Sequence, residues 1–195
     1  SLNEGLSDEE RKGISSTLKY NSNLLIRVIV MLFDSSDSGL SEELMSHKLD
    51  QVPCNDVARE AIGHIYPHYP HLNINFESEV DAPFCIQSNR KYLMLGLREL
   101  LYNSAKYSDG KHITMRITLT ETTIRFIVED TGKGIAEADR ELTFEFFTKV
   151  DDHSEGLGLG LPLSKRHAQN LGGDLTLDED YHDGCRFIVE LPLKL

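Results

Sequence analysis

The chain has 195 residues, of which 39% are hydrophobic and 27% are charged, and its formal net charge is −12 at pH 7. This length is enough for one well-buried core and a small second unit. The excess of acidic groups argues against a nucleic-acid-binding surface, because such surfaces depend on clustered Lys and Arg. Any phosphate ligand is therefore expected to be small and held locally.

The cysteines and the apolar runs bear on the cellular compartment. Cys54, Cys85 and Cys185 are far apart and form no Cys-x-x-Cys pair, which predicts neither a disulfide framework nor a zinc site. The longest apolar run, residues 24–33, is about half the length that spans a bilayer and contains Arg27. No signal peptide is visible, and the initial serine in place of methionine indicates a fragment of a longer protein. We therefore expect a cytoplasmic fragment, whose full-length parent reaches a membrane only through segments upstream.

The N-terminal segment predicts one long helix. Ser7 opens a Ser-x-x-Glu capping box, and apolar side chains then recur at alternating spacings of three and four to about residue 33. Near its end the helix is apolar almost all round, so it needs bundle partners that are absent from this chain or come from a second copy. A polar, acidic linker follows. We accordingly assign residues 1–38 to the helix and linker, and residues 39–195 to a separate globular domain.

A second helix is predicted over residues 89–107, with an inner stripe that is mainly leucine. Glu99, Asn103 and Lys106 follow one another on a different face, at spacings of four and three. A carboxylate, a carboxamide and an ammonium group thus share one polar stripe.

Two runs of strict alternation come next, from Ile113 to Leu119 and from Ile124 to Val128, with a short polar turn between them. This pattern predicts a β-hairpin. If the second strand continues by two residues, its parity places the carboxylate of Asp130 on the apolar side. Because a buried carboxylate is costly unless a donor hydrogen-bonds to it, Asp130 needs a donor.

Glycines mark the predicted turns in the rest of the chain. Gly132 and Gly134 lack side chains, so that a flat ligand or another backbone can approach closely. Residues 135–155 have no clear period and predict a long loop with a short helix inside. After a glycine-rich turn, a helix over about 158–171 should end in a left-handed glycine cap. Two further strands, with a turn near Gly184, complete an antiparallel sheet.

Three of these features converge on one chemistry: the polar stripe, the inward Asp followed by Gly-x-Gly, and the glycine-rich turn that opens a helix. Together they resemble the ATP site of the GHKL superfamily, and most closely the catalytic domain of bacterial sensor histidine kinases. The matching sequences are ELLYNSAKYS as the N box, DTGKG as the G1 box, FEFF as the F box and GLGLGL as the G2 box. Four boxes in this order are a specific signal. NSNLLIRVIVMLFDSSDSGL is similar to the second helix of the dimerisation and phosphoacceptor hairpin of those kinases.

The resemblance implies an α+β fold of the Bergerat type. This is a two-layer α/β sandwich, with a mixed, mainly antiparallel sheet and helices on one face, preceded by the long N-terminal helix. It implies ATP and Mg²⁺ as cofactors, and a two-component sensor kinase that transfers the γ-phosphoryl of ATP to a histidine for relay to a response regulator. The implied partners are a second copy of the chain, joined through the N-terminal helix, and the receiver domain of the regulator; nucleic acid is not expected.

The resemblance also implies roles for residues. Asp130 would accept the exocyclic amine of adenine, and Asn103 would be catalytic by offering its carboxamide oxygen to Mg²⁺, which prefers oxygen ligands. Lys106 would lie near phosphate oxygens and Tyr107 beside the nucleotide. Backbone amides of the G2 turn would meet the phosphates at a helix N-terminus, which favours anions without many basic side chains. The other implied nucleotide-binding positions are Gly132, Gly134, Ile135, Gly156, Leu157, Gly158, Leu159 and Gly160.

The second implied catalytic residue, Glu99, leaves two functions open. In gyrase-like and mismatch-repair ATPases a glutamate at this place activates water, whereas in histidine kinases it more often arranges the site. A GHKL ATPase of the gyrase, chaperone or mismatch-repair class therefore remains an alternative, as does a non-enzymatic, nucleotide-sensing dimerisation module. The kinases phosphorylate a histidine on the first hairpin helix, and none of the eight histidines here lies in the N-terminal helix. We expect the acceptor upstream of this chain, with a degenerate kinase as the other interpretation.

Overall fold

The computed structural model describes most of the globular part of the chain. The described residues are Ile14, 49–108, 112–145 and 160–194. The chain divides into two compact units, Ser1–Lys48 and Leu49–Leu195. Apart from Ile14, the predicted N-terminal helix and its linker lie outside the described residues, so the assignment of that segment stays a prediction. Among the residues that are described, no helix combines the length and the apolar character needed to cross a membrane.

The described residues of the second unit form two sheets and three main helices. Its described elements are, in chain order, β1 (Asp50–Pro53), α1 (Cys54–Gly63), β2 (Ile74–Ser78), β3 (Cys85–Ser88), α2 (Arg90–Tyr107), β4 (Ile113–Leu119), β5 (Thr123–Asp130), α3 (Glu137–Arg140), a 3-10 turn (Glu141–Phe144), α4 (Gly160–Asn170), β6 (Asp174–Leu177) and β7 (Cys185–Pro192). The larger sheet has the order β2-β4-β5-β7-β6, and β1 pairs with β3 in a small sheet of its own. In the larger sheet β2 is parallel to β4 and all other neighbours are antiparallel. The predicted mixed, mainly antiparallel sheet is confirmed.

The hairpin of β4 and β5 follows the predicted alternation. Every second residue of β5 is buried, and Ile124, Phe126 and Val128 are fully inaccessible to solvent. Burial of an aliphatic or aromatic side chain of this size contributes roughly 1.5–3 kcal/mol. The same parity carries Asp130 inward, where it is only 4% exposed. The inference from alternation was therefore correct for both the strand and its terminal carboxylate.

Helix α2 begins where the sequence predicts. The side chain of Asn89 accepts hydrogen bonds from the amides of Lys91 and Tyr92, at 3.0 and 3.2 Å, and so caps the first turn. Its leucine stripe packs on the core. At Gly96 the helix meets α4 so closely that an added Cβ would lie 2.9 Å from the side chain of Ser164. Helices α2 and α4 therefore lie side by side against the sheet.

The end of α4 is also as predicted. The helix is described from Gly160 to Asn170, and Gly172 adopts a left-handed conformation with φ of +80°. The amides of Gly172 and Gly173 donate to carbonyls of the last turn, at 2.9 Å each. This is the expected glycine cap, since a left-handed φ is tolerated by Gly at little cost.

Candidate functional site

Asp130 ends the strand at the centre of the larger sheet. Its carboxylate accepts a hydrogen bond from the amide of Gly132, at 2.9 Å. The amide of Cys185 and the hydroxyl of Ser104 also lie close enough to lower its pKa, although the Ser104 hydroxyl makes no hydrogen bond of ordinary geometry. Burial outweighs these contacts and raises the pKa of Asp130 above its usual value. The carboxylate is thus incompletely compensated, and a ligand that donates a hydrogen bond would stabilise it.

The glycines after Asp130 are required by the protein's own backbone. A Cβ on Gly132 would lie 2.6 Å from the carbonyl oxygen of Tyr107 and 3.0 Å from the Cα of Ser108. Gly134 has a φ of +71°, which disfavours any side chain, and its Cβ would lie 3.3 Å from the carbonyl oxygen of Gly184. Of the two reasons that the sequence allowed for these glycines, close backbone approach is observed. This close approach places the G1 segment against the C-terminal end of α2.

The predicted polar stripe lies on α2, and all three of its side chains are half-buried. Burial raises the pKa of Glu99, and the nearby guanidinium of Arg98 opposes this shift only in part. The carboxamide of Asn103 makes no hydrogen bond to the described residues, so its oxygen is available to a ligand. Among the described residues, neither Glu99 nor Asn103 makes a hydrogen bond or ion pair with Asp130. Glu99 and Asn103 lie on α2, and the last residue of that helix, Tyr107, contacts Gly132 of the segment after Asp130.

Two ammonium groups meet the ring of Tyr107. The Nζ atom of Lys106 lies 5.0 Å from the ring centroid, and that of Lys133 lies 5.2 Å from it. The Nζ atom of Lys106 is buried and has no hydrogen-bond partner among the described residues. A buried ammonium without hydrogen bonds is costly, so this end of α2 is suited to an anion. Lys133 was not predicted as a site residue, because its position between two glycines says nothing about the direction of its side chain.

Of the other predicted site residues, the structure describes Ile135 and Gly160. Ile135 is half-buried and packs against the core, and Gly160 is the first residue of α4. The remaining G2 positions, Gly156, Leu157, Gly158 and Leu159, lie outside the described residues, as does the second half of the F box.

The described residues offer little protein coordination for a metal. No group of three or more His, Cys, Asp or Glu is arranged around a common point in the segments 49–108, 112–145 and 160–194. A Mg²⁺ ion that keeps several waters and takes phosphate oxygens needs only one or two protein oxygens. The uncommitted carboxamide of Asn103 fits that requirement.

Sequence reasoning missed a second layer around Asp130. The hydroxyl of Tyr181 donates to the Asp130 carbonyl oxygen at 3.2 Å, and Gly184 packs against the same oxygen. Both residues lie in the loop between β6 and β7, more than 50 residues along the chain. Their polar, turn-like sequence gave no signal beyond the predicted turn near Gly184.

The chain is similar to known ATP-binding proteins. The family profile described as "Histidine kinase-, DNA gyrase B-, and HSP90-like ATPase" matches residues 88–195. Sensor histidine kinase YcbM of Bacillus subtilis is 29% identical over 190 residues, which cover 94% of this chain and 60% of that protein. Sensor protein kinase CarS of Pseudomonas aeruginosa is 32% identical over 127 residues, which cover 65% of this chain and 28% of that protein. The chain thus spans less than two thirds of either relative.

Solved structures share the fold. The catalytic domain of histidine kinase ThkA superposes with a TM-score of 0.66 at 20% identity, and the alignment covers 76% of this chain and 99% of that domain. Full-length ShkA, solved in complex with AMPPNP, gives a TM-score of 0.65 at 22% identity, over 99% of this chain and 41% of that protein. These likenesses confirm the predicted α+β fold.

Proposed function

Since the chain belongs to the histidine kinase-, DNA gyrase B- and HSP90-like ATPase family, we propose that it binds Mg·ATP and is the catalytic part of a sensor histidine kinase. The γ-phosphoryl of ATP would pass to a histidine and from there to an aspartate of a response regulator. The observation that carries the proposal is the buried carboxylate of Asp130, beside the end of α2. The similarity to sensor histidine kinases over 94% of the chain favours this branch of the family.

The buried carboxylate of Asp130 is suited to bind adenine. The exocyclic amine of adenine donates a hydrogen bond, which is what the incompletely compensated carboxylate needs. Guanine presents a carbonyl oxygen at the corresponding ring position, and two acceptors facing each other are repulsive. The site is therefore expected to prefer ATP to GTP.

The phosphates lie, in this proposal, between α2 and the start of α4. Lys106 supplies a buried positive charge, and the N-terminus of α4 at Gly160 supplies amide donors. Asn103 would hold Mg²⁺ through its carboxamide oxygen, and the ion would supply charge neutralisation for phosphoryl transfer. Positioning and charge neutralisation would then account for most of the catalysis, with little covalent work for the protein.

In this proposal, Glu99 takes part in proton transfer at the same site. Because burial raises its pKa, the carboxylate is a stronger base than an exposed glutamate. In a kinase this helps to arrange the attacking group, and in an ATPase it would activate water. A raised pKa of Glu99 is compatible with both functions, so the two must be separated by their products.

The acceptor and the partners are also part of the proposal. We assign residues 1–38 to part of a dimerising helix with its linker, and residues 39–195 to the catalytic domain. The receiver domain of a response regulator is the proposed partner that receives the phosphoryl group. His182 is the histidine of this chain that precedes an acidic residue, but it is exposed in the loop between β6 and β7. A phosphoacceptor of this family would lie on a helix, so His182 is not assigned that role.

The full-length protein, incubated with γ-labelled ATP, should become phosphorylated on histidine. The expected product is stable in base and labile in acid, and the label should pass to a response regulator. Steady release of inorganic phosphate without a phosphoprotein would instead assign the chain to the ATPase class. Nucleotide binding with neither product would indicate the sensing module.

Lys106→Met should weaken the binding of Mg·ATP by about 10- to 100-fold, because interactions with charged groups contribute about 1.5–3 kcal/mol each. Adenosine, which has no phosphate, should bind the variant as it binds the wild type. Stability should not fall, since an unpaired buried ammonium is removed. Calorimetric titration and denaturant unfolding measure these quantities, and Lys91→Met, at an exposed position of the same helix, is the matched control. An equal loss of adenosine binding would contradict a phosphate-facing role.

A further inference from the structure

The loop between β6 and β7, residues 178–184, contacts the backbone of Asp130 at two points. The Tyr181 hydroxyl donates to the Asp130 carbonyl oxygen at 3.2 Å. Gly184 lies so close to the same oxygen that an added Cβ would be only 2.0 Å from it. Asp130 is also paired in register with Cys185, the first residue of β7. The loop thus closes over the peptide that carries the recognition carboxylate.

Tyr181 is itself held in place from the side of β7. The Arg186 guanidinium lies 4.1 Å from the centroid of its ring. Arg186 also donates to the carboxylate of Glu129 at 2.8 Å and to that of Asp178 at 3.1 Å. One arginine therefore joins the start of the loop, the ring of Tyr181 and the residue before Asp130. Partial burial and the nearby carboxylate of Glu129 raise the pKa of Tyr181, so its hydroxyl keeps its proton and remains a donor.

The segment after Asp130 is held by the amide of Thr131, which donates to the His112 carbonyl oxygen at 3.2 Å, and by the close approach of Gly132 to the end of α2. Gly132 and Gly134 flank Lys133, and glycine restricts the backbone less than any other residue. The direction of the Asp130 side chain depends on the peptide at the end of β5, where regular strand pairing stops. The hydrogen bond from Tyr181 adds a restraint on that peptide from outside the strand.

We propose that Tyr181 is a positioning residue for adenine recognition: it holds the Asp130 backbone so that the carboxylate faces the exocyclic amine of the base. The inference rests on the proposed function, since it concerns how the same site selects its nucleotide. Tyr181 touches neither the phosphates nor the metal in this scheme. Its contribution should therefore appear in base selectivity rather than in phosphate affinity.

Tyr181→Phe removes the hydroxyl and keeps the ring under Arg186. We expect its affinity for Mg·ATP to fall roughly threefold to tenfold, the loss typical of one hydrogen bond with some displacement of the group it held. Affinity for Mg·GTP should not fall, because the carboxylate repels the guanine carbonyl, so the ratio of ATP affinity to GTP affinity should fall by at least the same factor. Calorimetric titration with both nucleotides measures this ratio. Arg186→Lys, which loses the flat contact with the ring, should shift the ratio in the same direction by less.

Tyr66→Phe is the control, because Tyr66 is exposed outside the site and its variant should bind both nucleotides like the wild type. A Tyr181→Phe variant with an unchanged ratio, or with parallel losses for ATP and GTP, would overturn the positioning role and leave the proposed function intact. A wild-type protein that bound neither nucleotide would overturn both.

Discussion

Asp130→Asn is expected to weaken the binding of Mg·ATP by about 10- to 100-fold, because a hydrogen bond to a charged acceptor contributes about 1.5–3 kcal/mol. The amide of Gly132 already occupies one side-chain oxygen at 2.9 Å. If the oxygen of the new Asn keeps this bond, its NH₂ group faces the exocyclic amine of adenine, and two donors meet. Calorimetric titration of the folded variant with Mg·ATP measures the loss.

The same substitution should leave the fold intact at pH 7, with a change in the free energy of unfolding of no more than about 1 kcal/mol. Burial raises the pKa of Asp130, so the ionised carboxylate destabilises the folded state. This destabilisation is absent below the ordinary carboxyl pKa of about 4 and is fully present above the raised value. Wild-type stability should therefore decline relative to that of the variant as the pH rises through this window, in denaturant unfolding experiments.

Asp50→Asn, at an exposed position of β1, should leave ATP affinity unchanged. If Asp130→Asn bound Mg·ATP as tightly as the wild type, the placement of the adenine beside Asp130 would be wrong. A wild-type stability that rose relative to the variant over the same pH range would contradict the desolvated environment of the carboxylate.

Gly184→Ala should destabilise the protein by about 3 kcal/mol, at the upper end of what overpacking costs. Its Cβ would lie 2.0 Å from the Asp130 carbonyl oxygen and 2.8 Å from the amide nitrogen of Gly132. Both are backbone atoms, so neither can rotate away as a flexible side chain could. The backbone that carries the carboxylate must shift, and the folded fraction should lose affinity for Mg·ATP as well. Guanidinium unfolding and titration below the transition measure the two effects.

Gly173→Ala is a matched control for this variant. Its Cβ would lie 1.9 Å from the carbonyl oxygen of Glu190, a similar clash with a strand backbone, but the contact is remote in sequence from the G1 segment. We expect a similar loss of stability with unchanged ATP affinity of the folded protein. Gly63→Ala, with no atom within 4 Å of the added Cβ, should affect neither property. Equal losses of affinity in both clashing variants would show that the effect of Gly184→Ala is not local.

The parts of the fold that the sequence predicted are those defined by local patterns. Alternation predicted β4 and β5, the leucine stripe predicted α2, and the glycine pair predicted the end of α4. The edge strand β2 was not predicted, because it has five residues and its burial does not alternate cleanly. It is fixed by parallel pairing with β4, in which Ile74 lies opposite Ile113, and no local pattern encodes that contact.

The candidate site was likewise predicted only where local sequence patterns were sufficient. Strand parity was enough to turn Asp130 inward, and helical spacing was enough to place Glu99, Asn103 and Lys106 on one helix. The partners of these residues depend on tertiary contacts. The hydrogen bond from Tyr181 spans 51 residues, and the backbone that faces Gly132 belongs to the end of α2. Neither contact could be read from the spacing of residue types.

Strand β5 lies at the centre of the larger sheet, which affects how rapidly its backbone amides exchange with solvent. Its residues pair with β4 on one side and β7 on the other, up to Asp130 itself. Amide hydrogens in such a strand exchange with solvent only when most of the domain opens, whereas loops exchange through small local fluctuations. The backbone of Asp130 is therefore expected to be among the slowest-exchanging parts of the domain.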